Sequence, residues 1–421
     1  MKARNRAIEV WGDWVELNGL TRVGTLHATP VRGQEIFAFE YDSAWVTHPQ
    51  RANLDPNLAL HQGRQYGPED QASFRAFLDS APDRWGRLLM NRRESLAARV
   101  AKRAQQSLLE SDYLLGVFDG HRQGGLRFRI GPAGPFLDDN AELASPPWTS
   151  LRELEHASLQ LELPDAESRR DYAKWLRMLI APGGSLGGAR PKASVVDERG
   201  RLWIAKFPSA NDTRDVGAWE HVLHRLAQRA GVEVPEAMVR RFAGRRHTFL
   251  TRRFDRSDTG QRRHFASAMT LLQRADGDDA SSGASYLEFV EMLARAGAQP
   301  ERDMEQLWRR IVFYLCVSNV DDHLRNHGFL LQAKGWVLAP AYDMNPVESG
   351  AGLKLNISDS DNSQSLELAY SVAPLYRVKA RRAQQVGRAV VEAASHWREV
   401  ASSVGIRKAE QEGMENAFRL R

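Results

Sequence analysis

The segment SNVDDHLRNHGFLL, residues 318–331, carries two aspartates, two histidines, an arginine and two asparagines between apolar runs. A buried core segment rarely holds so many polar groups, and an ordinary surface loop does not need them. Asp321 precedes Asn326 by five positions, and Asp343 follows in LAPAYDMNP, 22 residues beyond Asp321. Phosphoryl transfer needs a carboxylate that orients the attacking hydroxyl group, together with oxygen ligands for Mg²⁺. The spacing therefore indicates a base at Asp321 and metal ligands at Asn326 and Asp343.

The chain between these residues predicts how they meet. The sequence GFLLQAKGWVLAP is typical of a β-hairpin, which would return Asp343 to the side of Asn326. Other interpretations stay open, because either Asp321 or the neighbouring aspartate could cap a turn, and Asp343 could begin one before a proline. His323 and His327, at positions i and i+4, could also suggest zinc, although no third ligand cluster is visible.

A glycine-rich stretch, APGGSLGGARPKASVV, is the second candidate site. Four glycines within residues 183–188 let the backbone approach a ligand closely and present bare N–H groups, as phosphate binding requires. A Walker motif would open a helix with Gly-Lys-Ser/Thr, whereas ARPKASVV is typical of a strand, so the pattern excludes a P-loop NTPase. A flexible turn between a helix and a strand is the alternative interpretation.

Lys206 strengthens the phosphate interpretation. It stands in the strand-like run LWIAKFPS, 18 residues after Gly188, and Glu220 follows on the predicted helix VGAWEHVLHRLAQ. A strand lysine behind a glycine-rich loop, paired with a helix glutamate, holds the ATP phosphates in protein kinases. A solvated lysine and a surface carboxylate are the alternatives. The order of glycine loop, strand lysine, helix glutamate, Asp-x4-Asn and final Asp favours a kinase.

These residues need a scaffold of strands and helices. The pattern predicts an α+β, bilobal, protein-kinase-like fold, with a small β-rich lobe, a larger helical lobe and an extra N-terminal subdomain. A proline- and glycine-rich stretch at about 130–148 is typical of a linker. We therefore predict three parts, at residues 1–135, 150–258 and 259–421.

Composition limits the class of protein. A chain of 421 residues with 42% apolar and 26% charged residues is typical of a globular protein, and no apolar run approaches a membrane span or a secretory signal. The single cysteine, Cys316, lies in an apolar run and agrees with a reducing compartment, so we expect cytoplasmic localisation. A net charge of +5 is small for this length. Direct DNA binding by the chain itself would rest on this basic charge and on no other feature of the sequence.

The motifs resemble the HipA family of bacterial toxin kinases over nearly the whole chain. SLGGARPKA, IAKFP, RRFDR, DDHLRNHGF and APAYDMNP match its kinase blocks in order, and FEYDSAWV and FLDSAPDRWGRLLM resemble its N-terminal subdomain. The resemblance implies ATP-dependent phosphorylation of protein serine or threonine, with Asp321 as the base and Mg²⁺ on Asn326 and Asp343. It also implies nucleotide contacts, at Gly187, Gly188, Ala189, Arg190, Pro191, Lys192, Lys206, His323, Leu324, Arg325, Asn326, Tyr342 and Asp343. The hinge against adenine would be Arg252, Arg253 and Phe254, with Arg252 where the best-known members carry an acid.

The resemblance also implies regulation and partners. Ser185 stands at the family's regulatory phosphorylation site, and we expect its autophosphorylation to block ATP binding by charge repulsion. A small helix-turn-helix antitoxin resembling HipB would bind this chain and operator DNA, and the protein substrate would be a translation component such as an aminoacyl-tRNA synthetase. Two rival functions remain open: a catalytically silent ATP-binding corepressor and a small-molecule kinase.

Overall fold

The computed structural model describes residues 5–67, 73–131, 134–136, 146–183, 188–242 and 244–420. Contacts within the chain divide it into two compact units. Unit 1 comprises Met1–Ala210 and Asp255–Ala266, and unit 2 comprises Asn211–Phe254 and Ser267–Arg421. The division into three domains, at residues 1–135, 150–258 and 259–421, stays a prediction.

Unit 1 contains seven strands and six α-helices among its described residues. The strands are β1 (Arg6–Gly12), β2 (Thr21–Val31), β3 (Gln34–Tyr41), β4 (Arg64–Tyr66), β5 (Leu126–Ile130), β6 (Lys192–Val196) and β7 (Leu202–Lys206). The helices are α1 (Ser43–Val46), α2 (Arg75–Leu78), α3 (Arg84–Val100), α4 (Glu110–Leu115), α5 (Leu151–Leu161) and α6 (Tyr172–Gly183). The helical region is interrupted near Pro82, which lies between α2 and α3.

The first five strands form one antiparallel sheet in the order β4-β3-β2-β1-β5. In β5, Leu126 and Phe128 are buried and the two arginines between and after them are less so, as expected when one face of a sheet covers a core. Phe77 connects the sheet to α2, since its ring centroid lies 5.3 Å from that of Phe39 and 6.0 Å from that of Phe128. Strands β6 and β7 form a separate antiparallel pair within the unit.

The segment 255–266 belongs to unit 1 although it lies far along the chain. Asp255 Oδ2 accepts a 3.0 Å hydrogen bond from the backbone N–H of Gly124 and lies 2.8 Å from the guanidinium of Arg256. Arg262 lies 3.2 Å from the carboxylate of Asp119, and both are buried. Buried charges are stable only when paired in this way, so these contacts hold the segment in place.

Unit 2 is mostly helical. Its helices are α7 (Val216–Arg229), α8 (Ala268–Leu271), α9 (Tyr286–Ala296), α10 (Pro300–Val317), α11 (Leu366–Val372), α12 (Ala380–Ser395), α13 (Trp397–Val404) and α14 (Lys408–Gly413). Its strands form two antiparallel hairpins, β8 (Ala237–Arg240) with β9 (Thr248–Arg252), and β11 (Gly328–Gln332) with β12 (Gly335–Leu338). A further short strand, β10 (Phe265–Ser267), spans the boundary between the two ranges.

Helix α10 is the centre of the unit 2 core. It begins with a proline, which suits the first turn of a helix, and almost its entire second half is buried. Cys316 lies in that buried half, and its backbone oxygen accepts a 2.9 Å hydrogen bond from the N–H of Arg419. The residue before Arg419 is Phe418, whose ring stacks on that of Trp397 with the two ring centroids 4.1 Å apart. Residues 418 and 419 are therefore attached to the unit 2 core.

Several sequence predictions are confirmed here. The strand at Lys206, the helix at Glu220 and the hairpin that precedes Asp343 are all present. The predicted linker at about 130–148 lies partly outside the described residues. Within the part of the chain that the structure describes, no helix has the length and apolar character to span a bilayer.

Candidate active site

The predicted base lies in a loop that leaves the C-terminal end of α10. The helix ends at Ser318, whose φ of 47° turns the chain out of the helical path. Asp321 is exposed in this loop. Its backbone oxygen accepts a 3.0 Å hydrogen bond from the N–H of His323, and a short 3₁₀ helix, Leu324–Asn326, follows. An exposed carboxylate on a loop held by its own backbone can receive a proton from a substrate hydroxyl group.

Asn326 closes the loop onto Asp321. Its side-chain amide nitrogen donates a 3.0 Å hydrogen bond to the backbone oxygen of Asp321, and Asn326 is buried. This hydrogen bond uses the amide nitrogen within the loop, so a cation bound by Asn326 would contact its amide oxygen. The five-residue spacing therefore brings Asp321 and Asn326 together as predicted.

Asp343 returns to the same loop after the hairpin of β11 and β12. Tyr342, beside it, donates a 2.9 Å hydrogen bond from its hydroxyl group to the backbone oxygen of Arg325. On the other side, the N–H of Asn345 donates to the side-chain oxygen of Asn319 at 2.9 Å. These two bonds connect the Asp343 segment to the Asp321 loop on both sides, so the predicted meeting of the two segments is confirmed.

The backbone of Asp343 has a φ of 59°, in the left-handed region. Aspartate tolerates this region better than most non-glycine residues, and residues held there are concentrated at functional sites. Asp343 has further interactions within the structure. The conformation fixes the direction in which this carboxylate leaves the chain.

Asp322, next to the predicted base, faces the opposite way and is buried. Its Oδ2 accepts a hydrogen bond from the hydroxyl group of Tyr286 and lies 2.7 Å from Nε2 of His327. Burial raises the pKa of Tyr286 well above its ordinary value, and the charge of Asp322 acts in the same direction, so the hydroxyl group keeps its proton. The interpretation of Asp322 as a turn cap is therefore wrong, and His327 pairs with Asp322.

The spacing of residues does not show this role of Asp322 and His327. The available signal was the apolar sequence on both sides of the pair, since a polar residue within an apolar run is stable only with an internal partner. Of these two adjacent aspartates, Asp321 is exposed, whereas Asp322 anchors the loop from inside the protein.

The predicted adenine hinge contributes an aromatic contact in the same unit. Strand β9 ends at Arg252, Arg253 is buried, and the ring centroid of Phe254 lies 5.5 Å from that of Tyr342. Aromatic rings at this distance present an apolar surface that suits a planar base. The structure therefore brings Phe254 to the Tyr342–Asp343 segment.

The glycine-rich segment and the lysines lie in unit 1. Ser185 and Gly187 are outside the described residues, whereas Gly188 has a φ of +88°, which glycine adopts readily. After Ala189 and Arg190, Pro191 accepts a 2.9 Å hydrogen bond from the N–H of Phe207. That contact fixes the residue immediately before β6.

Lys192 and Lys206 are direct partners across β6 and β7, so both side chains leave the same face of the hairpin. The Nζ of Lys192 lies 3.7 Å from Oδ2 of Asp83. Two ammonium groups side by side make a surface that a phosphate group can bind. Glu220 is buried in unit 2, and its predicted pairing with Lys206, in unit 1, stays a prediction.

The donor sets fit a nucleotide with Mg²⁺. Carboxylate and amide oxygens, from Asp343 and Asn326, are the ligands that Mg²⁺ prefers, and it usually takes only one or two carboxylates from a protein. Among the described residues, no group of three or more His, Cys, Asp or Glu side chains is arranged to hold a metal ion. The two lysines of unit 1 carry the type of charge that phosphate oxygens bind.

Comparison with known proteins gives matches over most of the chain. Residues 184–404 match the family described as HipA-like C-terminal domain. HipA from Shewanella oneidensis MR-1, solved with HipB and its operator DNA, superposes with a TM-score of 0.63, covering 95% of this chain and 93% of that chain. At 17% identity this likeness shows the fold alone. With it, the predicted α+β, kinase-like fold class is confirmed.

Two further relatives carry the name "Putative kinase". The protein from Haemophilus influenzae is 27% identical over 180 residues, which cover 38% of this chain and 52% of that protein. The protein from Sinorhizobium fredii is 26% identical over 155 residues, which cover 34% of this chain and 33% of that protein. The matched region thus spans about half of the first relative and a third of the second.

Proposed function

The chain belongs to the family with a HipA-like C-terminal domain, and we propose that it is a serine/threonine-protein kinase that uses ATP with Mg²⁺. One observation carries this proposal. Tyr342 and Asn345 connect the Asp343 segment to the loop of Asp321 and Asn326 by hydrogen bonds on both sides. The proposed base and the two proposed metal ligands therefore belong to one hydrogen-bonded assembly, which supports phosphoryl transfer.

In the proposed reaction the hydroxyl oxygen of a substrate serine or threonine forms a bond to the γ-phosphorus of ATP. The bond from that phosphorus to the β–γ bridging oxygen breaks, and ADP leaves with the electron pair. Asp321 accepts the hydroxyl proton, while Lys192 and Lys206 bind phosphate oxygens. Asn326 and Asp343 would hold Mg²⁺, which when bound neutralises charge on the phosphates.

The remaining predicted contacts complete a nucleotide site. The segment Gly187–Lys192 would contact the phosphates, and Arg252–Phe254 with Tyr342 would contact the adenine. The ring contact between Phe254 and Tyr342 supports the second assignment. The segment His323–Asn326 would contact the nucleotide from the base loop.

The experiment is incubation of the purified protein with Mg²⁺ and γ-labelled ATP, alone and with a cell lysate. We expect label on the protein and on one or a few lysate proteins, and its loss in Asp321→Ala. The control is Asp359→Ala, an exposed aspartate outside the site, which should transfer label normally. ATP binding without transfer would favour the silent corepressor, and transfer only to small molecules would favour a small-molecule kinase.

We also propose that the protein is the toxin of a type II toxin–antitoxin pair. Its partner would be a helix-turn-helix antitoxin resembling HipB, with operator DNA bound through that partner, and its substrate a translation component such as an aminoacyl-tRNA synthetase. The superposed HipA structure, which contains HipB and operator DNA, supports this partner. DNA binding by the purified chain alone, with steep salt dependence, would contradict the indirect route.

Ser185 is the proposed autophosphorylation site. A phosphate there would repel the phosphates of ATP from the same loop. After incubation with Mg·ATP, intact mass should rise by one phosphate in the natural protein and stay constant in Ser185→Ala. An active enzyme that acquires no phosphate would rule this regulation out.

A further inference from the structure

Helix α3 begins at a buried carboxylate that contacts both the helix backbone and strand β6. Asp83 is the residue before the helix, and its Oδ1 accepts a 3.4 Å hydrogen bond from the backbone N–H of Gly86. Its Oδ2 lies 3.7 Å from Nζ of Lys192, and the two side chains are only 4% and 3% exposed. At this distance the contact is an ion pair rather than a hydrogen bond. Asp83 therefore connects the start of α3 to the first residue of β6.

Lys192 is in an electrostatically costly position. Burial of an ammonium group costs free energy unless an opposite charge compensates it. Its direct cross-strand partner is Lys206, and like charges opposite each other on a hairpin destabilise the pairing. The carboxylate of Asp83 is an opposite charge that offsets both effects.

The first turn of α3 also holds the backbone on both sides of this lysine. Trp85 Nε1 donates a 3.1 Å hydrogen bond to the backbone oxygen of Lys192, and the N–H of Trp85 donates to the oxygen of Gly188 at 3.4 Å. A Cβ atom added at Gly188 would lie 3.1 Å from Nζ of Lys192. The ammonium group therefore lies against the last glycine of the glycine-rich segment.

We propose that Asp83 is a positioning residue for the nucleotide, which holds the cation of Lys192 beside Lys206 at the end of the glycine-rich segment. This rests on the proposed function, in which the two lysines bind phosphate oxygens. It gives the N-terminal part of the chain a role in phosphate binding, through the first turn of α3. The carboxylate orders the ammonium group of Lys192 before the nucleotide arrives, so the phosphates meet a cation that is already in place.

The test is the Asp83→Asn variant, with affinities for ATP and for adenosine measured by calorimetry. Asparagine caps a helix about as well as aspartate, so the variant keeps the start of α3 but removes the charge. We expect the affinity for ATP to fall about tenfold, the effect of losing roughly one ordered charge contact. The affinity for adenosine should stay unchanged, because adenosine has no phosphate for the lysines to bind.

The matched control is Asp42→Asn in the same unit. Asp42 also precedes a helix, accepts a hydrogen bond from the N–H of Ala44 and lies 3.5 Å from Arg22. It should leave both affinities unchanged. Asp83→Glu, which restores the charge, should recover part of the ATP affinity. The KM for ATP in phosphoryl transfer should rise from the natural protein to Asp83→Glu to Asp83→Asn, and kcat should change less than KM.

A second variant covers the case in which Asp83→Asn does not fold. Trp85→Phe keeps an aromatic ring but removes the hydrogen bond to the oxygen of Lys192, and we expect a loss of about threefold for ATP alone. An unchanged ratio of ATP to adenosine affinity in both variants, or tighter ATP binding in Asp83→Asn, would overturn the inference. Failure of the natural protein to bind ATP would instead overturn the proposed function.

Discussion

Tyr342 donates a 2.9 Å hydrogen bond from its hydroxyl group to the backbone carbonyl oxygen of Arg325. The bond joins the residue before Asp343 to the residue before Asn326. The two proposed metal ligands are therefore held in register by one side chain. A hydrogen bond of this kind contributes about 1 kcal/mol, enough to affect how firmly two ligands are ordered for one cation.

The first prediction concerns this bond. Tyr342→Phe keeps the ring against Phe254 but removes the donor, so the concentration of Mg²⁺ needed for half-maximal phosphoryl transfer should rise about fivefold. Tyr113→Phe is the control, because it removes a hydroxyl group that donates to Asn91 in unit 1 at 3.0 Å. The measurement is a Mg²⁺ titration of phosphoryl transfer by the natural protein, Tyr342→Phe and Tyr113→Phe. An equal Mg²⁺ requirement in Tyr342→Phe would show that the bond does not order the ligands.

The meeting of these two segments could be predicted from sequence because it depends on local structure. A hairpin of β11 and β12 is encoded by one apolar run, a turn and a second apolar run, so the return of Asp343 needs no distant contact. The strand of Lys206 was predictable for the same reason, because residue types within about 20 positions set it.

The features that were missed depend on distant contacts. Arg256 and Arg262 look like surface charges in the sequence, yet they are buried with Asp255 and Asp119 and attach residues 255–266 to unit 1. The inward direction of Asp322 was missed because its hydroxyl donor, Tyr286, lies 36 residues away on α9. A single sequence shows residue types but does not show which distant partner compensates a charge.

The second prediction uses the adjacent aspartates of the base loop. Asp322→Ala removes the acceptor of Tyr286 and the partner of His327 inside the protein, so the free energy of unfolding should fall by about 3–5 kcal/mol. Asp321→Ala, one residue earlier, removes an exposed side chain and should change that free energy by less than about 0.5 kcal/mol. Denaturant unfolding measures both. Comparable losses in the two variants would contradict the division of roles.

The third prediction concerns the helix that carries Glu220. A Cβ atom at Gly217, in the first turn of α7, would lie 2.3 Å from the backbone oxygen of His247. In the described part of the chain, no atom outside the neighbouring residues and the backbone of the same helix lies within 4 Å of a Cβ atom at Gly413. Alanine normally stabilises a helix by about 1 kcal/mol relative to glycine. We therefore expect Gly217→Ala to destabilise the protein and Gly413→Ala to be neutral or stabilising. Thermal unfolding of the matched pair tests this, and a more stable Gly217→Ala would show that the helix can shift.

The last prediction concerns His264, which is buried in unit 1 with its ring stacked on Trp14 at 4.7 Å. Burial lowers the pKa of His264 to about 4, below the ordinary value of 6.5. The unfolded chain therefore binds a proton at this residue at a higher pH than the folded protein does. The stabilisation is complete above pH 6.5 and is lost as the pH falls from about 6.5 to about 4.

His264→Phe keeps an aromatic ring against Trp14 and removes the titrating group. Between pH 7.5 and pH 5.5, the natural protein should lose about 1.4 kcal/mol more unfolding free energy than this variant. Both proteins should retain the pH dependence of His27, His221 and His224, whose pKa values burial also lowers, so the difference between them isolates His264. Denaturant midpoints at the two pH values give the measurement. Parallel losses in the two proteins would mean that His264 takes up a proton in the folded state as readily as in the unfolded chain.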